Sequence, residues 1–323
     1  MKLQQLKYLK AIIQSELNVS AASHILYTSQ PGISKQIALL EQELGVKIFN
    51  RKGKNLNEVT DIGRKIIEES NRIIDIEEKI RAIVRDHINP ESGGLNIYTT
   101  NTIARFLLPN TIELFVKKYP NVTFHVGTAN PDENGAIIKK GHSDFSIVAQ
   151  EVERTKDLIV LPAYKWSQSL ILPPNHPLCK EKNITLEMIG KYKLISYEDG
   201  STGRISQDEA FKKAGIEPIY FMTVMDTDVI KKYVSMGFGI GIVATIAADN
   251  ICDDEIVTIP LKSILPYCDA WICYSRSVYL QNYMYDFIES FAPHLTKEIM
   301  EGVGRLTSKE LFKLSNNFDL PRY

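Results

Sequence analysis

Four cations, Lys47, Arg51, Lys52 and Lys54, fall within eight consecutive residues, with Gly53 among them. Packed so densely, such groups can hold phosphates by displacing the counterions around them. Hydroxyls make a second set. Tyr98-Thr99-Thr100-Asn101-Thr102 and Gly200-Ser201-Thr202-Gly203-Arg204 each read as a turn into a helix, where backbone N–H groups and hydroxyls can converge on a small anion. Plain capping explains either turn alone; two turns facing one cleft favour a ligand. Patterns for covalent or hydride chemistry are missing: there is no P-loop, no G-x-S-x-G and no H-E-x-x-H. Gly237-Phe238-Gly239-Ile240-Gly241 follows a helical pattern and precedes a strand, the reverse of the order a dinucleotide loop needs. Asp226 and Asp228 read as the cap and first turn of a helix rather than as paired acids. Cys179, Cys252, Cys268 and Cys273 include no C-x-x-C pair, and Cys268, Cys273 and His294 match no ligand spacing. The expectation is reduced, mostly buried thiols, no metal, no cofactor and no enzyme.

The elements that carry these residues follow from length and periodicity. A chain of 323 residues suggests two or three domains, and 44% hydrophobic with 24% charged residues is the balance of a folded globular protein. Its longest nearly apolar stretch, residues 238–248, is far shorter than the ~20 residues of a bilayer span, and residues 1–10 hold no signal core. The expected location is cytoplasmic, away from membranes. Formal net charge is −1, yet residues 1–60 hold eight Lys or Arg against four acids, so a basic head precedes an acidic remainder.

In that head, Leu3, Leu6, Leu9, Ile12 and Ile13 recur at helical spacing, predicting a helix over 2–16. Asn18 or Ser20 caps a short second helix, and Thr28 and Ser29 open a third, with Pro31 in its first turn and Gly45 at its end. The third buries Ile33, Ile37, Leu40 and Leu44 and shows Gln30, Ser34, Lys35 and Gln36. A short helix, a tight turn and a helix with small polar and basic side chains at its amino end is the arrangement that reads a major groove. Strands at 46–49 and 56–59 then form a wing, with the cations at its turn. Past Thr60, Ile62, Ile66, Glu69, Ile73, Ile76, Ile80 and Ile83 alternate steps of four and three, a heptad seam. A second copy of the chain is its simplest partner; the alternative is a helix lying on its own domain. Pro90-Glu91-Ser92-Gly93-Gly94 reads as a hinge.

From Leu95 onward, apolar strands alternate with amphipathic helices, the pattern of open α/β sheets. Strands are expected at 95–98, 122–126, 145–148, 169–172, 193–196, 219–224, 240–243 and 271–274, and helices at 103–119, 205–214, 227–236 and 280–291. A strand near 158–164 carries the chain into a second sheet, and residues 265–270 bring it back. The resulting division is a head over 1–60, a linker helix and hinge over 61–90, an effector domain over 91–300 and a tail over 301–323. Lobe I takes about 91–162 and 267–300, lobe II about 163–266, with a cleft between strand ends.

The run Ala21-Ala22, Leu26, Ser29-Gln30-Pro31, Ser34, Gln36-Ile37, Leu40-Glu41, Leu44-Gly45, Ile48-Phe49, Arg51, Thr60 and Gly63 resembles the winged helix–turn–helix of LysR-type transcriptional regulators. The whole chain, through Tyr283-Met284-Tyr285-Asp286-Phe287-Ile288 and Phe291-Ala292-Pro293-His294, is similar to the CysB-like subfamily. That resemblance implies an α/β fold with an α-rich winged head and a bilobal, periplasmic-binding-protein-like effector domain of two Rossmann-like subdomains. It implies contact with double-stranded promoter DNA through Thr28, Ser29, Gln30, Pro31, Ser34, Lys35, Arg51, Lys52 and Lys54. Dimerisation falls to Ile62, Ile66, Ile73, Ile76, Ile80 and Ile83, within a tetramer that works with RNA polymerase. The implied effector site is Thr100, Asn101, Thr102, Ala149, Thr202 and Gly203, taking a small anion such as O-acetylserine, N-acetylserine or sulfate. Ile103 and Ala149 stand where those relatives carry Gln and Thr, removing two polar groups. The implied role is activation of sulfate-assimilation and cysteine-biosynthesis genes. A paralogous regulator of alkanesulfonate use and a cytosolic small-molecule carrier are the alternatives.

Overall fold

The computed structural model describes residues 1–53, 55–128, 143–149, 155–249 and 255–323. Lys54 and Cys252 lie outside them. Two compact units emerge: Met1–Ile88 with Ser277–Tyr279, and Asn89–Arg276 with Leu280–Tyr323.

The first unit is built from α1 (Leu3–Gln14), α2 (Val19–Ile25), α3 (Gln30–Leu44), β1 (Phe49–Lys52), β2 (Asn55–Val59) and α4 (Asp61–Ile88). Asn18 caps α2 by accepting the Ala21 N–H, Ser29 caps α3 by accepting that of Gly32, and Gly45 ends α3 in the left-handed region at φ 70°. Leu6, Leu9, Ile12, Ala22, Ile33, Ile37, Leu40, Ile48 and Phe49 form its core, into which α4 inserts Ile67 and Ile74. The wing departs from its expected limits. Its first strand begins at Phe49, so Arg51 and Lys52 lie on the strand and pair with Leu56 and Asn55. The reason is that residues 47–49 spend backbone groups on side chains. The Glu41 carboxylate accepts the N–H groups of Ile48 at 2.9 Å and Phe49 at 3.1 Å, while the Thr60 hydroxyl donates to Lys47 O at 2.7 Å.

The second unit holds two five-stranded sheets. The first, in the order β4-β3-β5-β12-β6, uses β3 (Ser92–Thr99), β4 (Asn121–Thr128), β5 (Phe145–Val148), β6 (Leu158–Trp166) and β12 (Cys268–Ser275). The second, ordered β11-β7-β10-β8-β9, uses β7 (Gln168–Leu172), β8 (Lys193–Tyr197), β9 (Ile219–Val224), β10 (Ile240–Ala244) and β11 (Val257–Pro260). In each sheet four strands run in one direction and one, β12 in the first and β7 in the second, runs against them, β3 and β8 holding equivalent places. The chain passes from the first sheet to the second through Ser167 and returns between Pro260 and Cys268.

Two further expectations differ from the structure. The helix expected over 103–119 is two, α5 (Asn101–Phe106) and α6 (Leu108–Lys118), broken at Leu107. Pro109 has no N–H to continue the first helix and its ring crowds the preceding turn, so it starts a new one. The glycine-rich hinge is shorter than expected, because Ser92, Gly93 and Gly94 pair with β4 as strand. Gly93 is required there for closeness: a Cβ would sit 2.5 Å from the Tyr283 hydroxyl, which donates to Gly94 O at 2.8 Å. Residues beyond 300 are structured, with helices Lys297–Val303 and Ser308–Ser315 and a buried Leu311.

Candidate functional site

In the head, Ser29 and Gln30 are exposed at the start of α3, with Pro31 beside them and Thr28 half-buried in the turn. The Gln30 amide donates to the Ser34 hydroxyl at 3.3 Å, and Lys35 projects outward. Gln36 does not join this face; its amide oxygen and its backbone carbonyl both accept from buried Gln5 at 3.3 Å. Arg51 and Lys52 are exposed on β1 and make no ion pair among the described residues. An unneutralised cationic strand next to a polar helix end is a surface for a phosphate backbone and a groove edge.

Glu41 is the part of this surface that sequence reading passed over. Only 2% exposed, it ties α3 to the wing through Ile48 and Phe49 and pairs with the Lys47 ammonium at 3.1 Å. Gly63 matters for the same junction, since a Cβ there would approach Ile48 O to 2.2 Å. Its N–H reaches the Thr60 hydroxyl at 2.9 Å.

On α4 two apolar rows separate. Gly63, Ile67, Ser70 and Ile74 are buried, the two isoleucines in the head's own core, whereas Ile62, Ile73, Ile76, Ile80 and Ile83 are exposed, Ile76 and Ile80 at 58% each. Ile66 is half-buried between the rows, and Glu69 turns out to Arg72 at 2.8 Å. The rows lie about 100° apart round the helix. The contact with the helix's own domain is therefore already made, and the seam remains open. Leu3, Ile73, Ile76, Glu77, Ile80 and Arg81 line a shallow groove of about 380 Å³ along it. Glu77 is held charged, below the usual carboxylate range, by hydrogen bonds from Arg81 and then Lys7.

In the second unit the expected effector residues sit at the carboxyl ends of equivalent strands. Thr100 caps α5 directly after β3, its hydroxyl accepting the Ile103 N–H at 3.3 Å, which leaves its own proton free to donate. Thr202 opens the helix Thr202–Lys213 after β8, with Ser201 as the cap. Ala149 follows β5, whose parallel register with β3 pairs Thr99 with Ile147 and brings Ala149 alongside this turn. Gly203 is buried beneath Tyr197, where a Cβ would come within 3.0 Å of the ring and 3.5 Å of Trp166.

Several partners in this cleft had no signal in the sequence pattern. Thr102 meets Thr227 of lobe II hydroxyl to hydroxyl at 3.5 Å, and Thr227 meets the Tyr197 hydroxyl at 2.8 Å. Tyr197 Oη also accepts the Ala244 N–H at 3.2 Å; burial raises its pKa and keeps it protonated. Asn101 donates to Asp226 across the lobes at 3.4 Å. Arg105 pairs with Asp228, and the Lys231 ammonium lies 4.8 Å over Phe106 with its pKa lowered, first by burial and then by Arg105. Asp226 caps the helix Thr227–Ser235, as its spacing implied. Trp166, 7% exposed beside Gly203, has an indole N–H with no acceptor among the described residues. Ile103 is 2% exposed, a packing residue of α5. Elsewhere Cys268 and Cys273 are buried and in no disulfide among the described residues, while His294 is taken up by Pro162 O at 2.8 Å.

A winged helix–turn–helix joined to a bilobal α/β domain defines a class of ligand-responsive DNA-binding protein, and comparison with known proteins agrees. Residues 3–64 match the bacterial regulatory helix-turn-helix of the lysR family, and residues 89–296 the LysR substrate binding domain. The chain belongs to the LysR family of transcriptional regulators. It is 42% identical to the HTH-type transcriptional regulator CysB of Haemophilus influenzae over 313 residues, 97% of each chain. It is also 35% identical to the regulator SsuR of Burkholderia cenocepacia, covering 94% of this chain and 99% of that one. Among solved structures, the cofactor-binding domain of the Cbl transcriptional regulator superposes with a TM-score of 0.60 at 29% identity, covering 70% of this chain and 95% of that one. Full-length CbnR complexed with its target DNA shares the fold, with a TM-score of 0.59 at 21% identity over 92% of this chain and 100% of that one. No helix among the described residues is long and apolar enough to cross a membrane.

Proposed function

We propose that this regulator acts in the cytoplasm on sulfur-metabolism genes, as an activator of sulfate assimilation and cysteine biosynthesis, through a small anionic effector bound between its lobes. An acetylserine is the favoured inducer, with sulfur anions such as sulfate as antagonists. The observation that carries the effector reading is the donor set between the lobes: Thr100, Thr102 and Thr202 at strand ends, with a buried Trp166 N–H that lacks an acceptor among the described residues. Asp228 is paired with Arg105, and the Asp226 carboxylate accepts from the Asn101 amide and the Asp228 N–H. A ligand carboxylate or sulfate would satisfy the orphaned N–H and draw on the hydroxyls without a buried counter-charge.

The open seam of α4 supports pairing of two chains through Ile62, Ile66, Ile73, Ile76, Ile80 and Ile83. Pairing of effector domains into a tetramer is supported by apolar groups on the edge strands and adjacent helices: Val126, Leu114, Ile219, Phe221 and Met236 are exposed. DNA is held by Thr28, Ser29, Gln30, Pro31, Ser34 and Lys35 with Arg51, Lys52 and Lys54, and RNA polymerase is the downstream partner. Regulation of alkanesulfonate use is the second reading, favoured by the similarity to SsuR and by Ala149 in place of a hydroxyl.

Calorimetric titration with O-acetylserine, N-acetylserine, sulfate, thiosulfate and adenosine phosphosulfate tests the cleft. Thr102→Val and Thr202→Val should each cost the binding ligand roughly 1 to 3 kcal/mol by leaving a partner unpaired. Unchanged affinity for every candidate in both variants would place the ligand elsewhere.

A further inference from the structure

Residues 321–323 lie where both connections between the lobes can be reached at once. They run parallel to β6, the edge strand of the first sheet, with Arg322 bridged to Lys165. Three backbone hydrogen bonds of 2.8 Å hold them: Lys165 N–H to Pro321 O, Tyr323 N–H to Lys165 O, and Ser167 N–H to Tyr323 O. The last is made by the residue that links β6 to β7. Side chains extend the contact. The Tyr323 ring stands edge-on to Tyr164 at 5.2 Å, and the Arg322 guanidinium sits 5.7 Å over Tyr267, in the return connection just before β12. The helix Ser308–Ser315, packed through buried Leu311, and Phe318, 5.1 Å from the His294 ring, deliver the segment to this place.

The crossovers are in turn fixed to lobe II. Ser167 O accepts the Thr245 N–H at 2.9 Å, the two hydroxyls meet at 2.9 Å, and Gln168 O accepts the Leu261 N–H at 2.9 Å. A continuous path therefore runs from Tyr323 through Ser167 to the end of β10. Two such crossovers form a hinge, since lobe rotation must be absorbed by dihedrals at the connecting residues. A strand laid across them restricts those dihedrals.

We propose that residues 321–323 are a strap over the interlobe hinge, which holds the lobes at the closed angle while docked and lets them open when it lifts. It acts on the hinge, whatever ligand the cleft takes. The strap is short, held by three backbone bonds, a 3.2 Å bond from the Ser167 hydroxyl to Tyr323 O and two ring contacts, so it can detach without unfolding either sheet.

The test uses the full chain carrying Asn101→Cys and Asp226→Cys, whose parent side chains meet across the lobes at 3.4 Å. The rate of their cross-linking by a short bifunctional thiol reagent reads lobe closure. Deleting residues 321–323, or the milder pair Arg322→Ala and Tyr323→Ala, should slow it about tenfold. An unchanged rate in both overturns the proposal. Hydrogen exchange on the same proteins separates a strap from a structural strand. Amides of Thr245 and Leu261, which do not touch the segment, should exchange about tenfold faster while strand interiors keep their protection. Faster exchange confined to Lys165 and Ser167 would make the segment an edge cover only, and faster exchange across both sheets would make it part of the fold; either result overturns the strap.

Discussion

In the winged head the cations of the exposed face carry no ion pair among the described residues, whereas in the effector domain polar side chains are already engaged with one another across the lobes. Arg51, Lys52, Lys35 and Gln30 face solvent, without an ion pair among the described residues for any of the three cations. Thr102, Thr227, Tyr197, Asn101 and Asp226 form a chain of contacts from lobe to lobe. The difference fits the ligand proposed for each surface. A polyanion as large as a duplex is met by an open face whose cations need only displace counterions. The small anion proposed for the cleft would have to be enclosed, and there Thr102 meets Thr227 and Asn101 meets Asp226 from lobe to lobe.

The largest expected effect comes from closing off the head's other open surface. Ile73→Asp with Ile80→Asp would put charges into an apolar contact, and burying them unpaired is prohibitive. Sedimentation should show the native oligomer lost and DNA binding weakened by at least about a hundredfold. A native oligomer with intact binding would return the seam to the single chain. Next comes the buried carboxylate beneath the wing. Glu41→Ala strands the Ile48 and Phe49 N–H groups, at about 1 to 3 kcal/mol for a buried donor left unsatisfied. Chemical denaturation should report that loss in the head, with the effector domain's unfolding unmoved.

The smallest effect belongs to lobe II. Burial lowers the pKa of His176, whose Nδ1 accepts the Leu178 N–H at 3.3 Å and so must stay unprotonated. A depressed histidine stabilises the fold fully above its unfolded pKa of about 6.5 and loses that contribution as pH falls through the folded value. Melting temperature should therefore fall between pH 7 and pH 5, and His176→Asn, which keeps an acceptor but not the titration, should flatten part of that fall. An identical pH profile in the variant would show that the imidazole is not responsible.

The contrast between the units also explains what could be read in advance. The residues expected to meet DNA fall in one stretch, 28–54, where local rules of capping, turn and periodicity point to them. Thr100, Thr202 and Asp226 announced themselves in the same way, as helix starts. Their partners did not, because Tyr197, Thr227 and Trp166 meet the cleft through a topology that joins distant segments, and no local pattern records which strand ends face each other. Glu41 was hidden for a further reason: a carboxylate on an amphipathic helix reads as surface until the wing's N–H groups are seen to surround it. The break at Leu107 and the strand character of Gly93 and Gly94 were likewise settled by Pro109 and by Tyr283, 190 positions along the chain from Gly93.

Binding of duplex DNA through a cationic wing shows itself in the salt dependence of affinity. Affinity for a duplex would be measured across a range of salt concentrations for the native chain and for Arg51→Ala, Lys52→Ala and Lys54→Ala combined. Each phosphate contact contributes about 0.9 to the slope of log affinity against log salt. The triple variant should bind every sequence more weakly, with a slope shallower by about 2 to 3. A slope unchanged by removing all three cations would contradict binding through the wing.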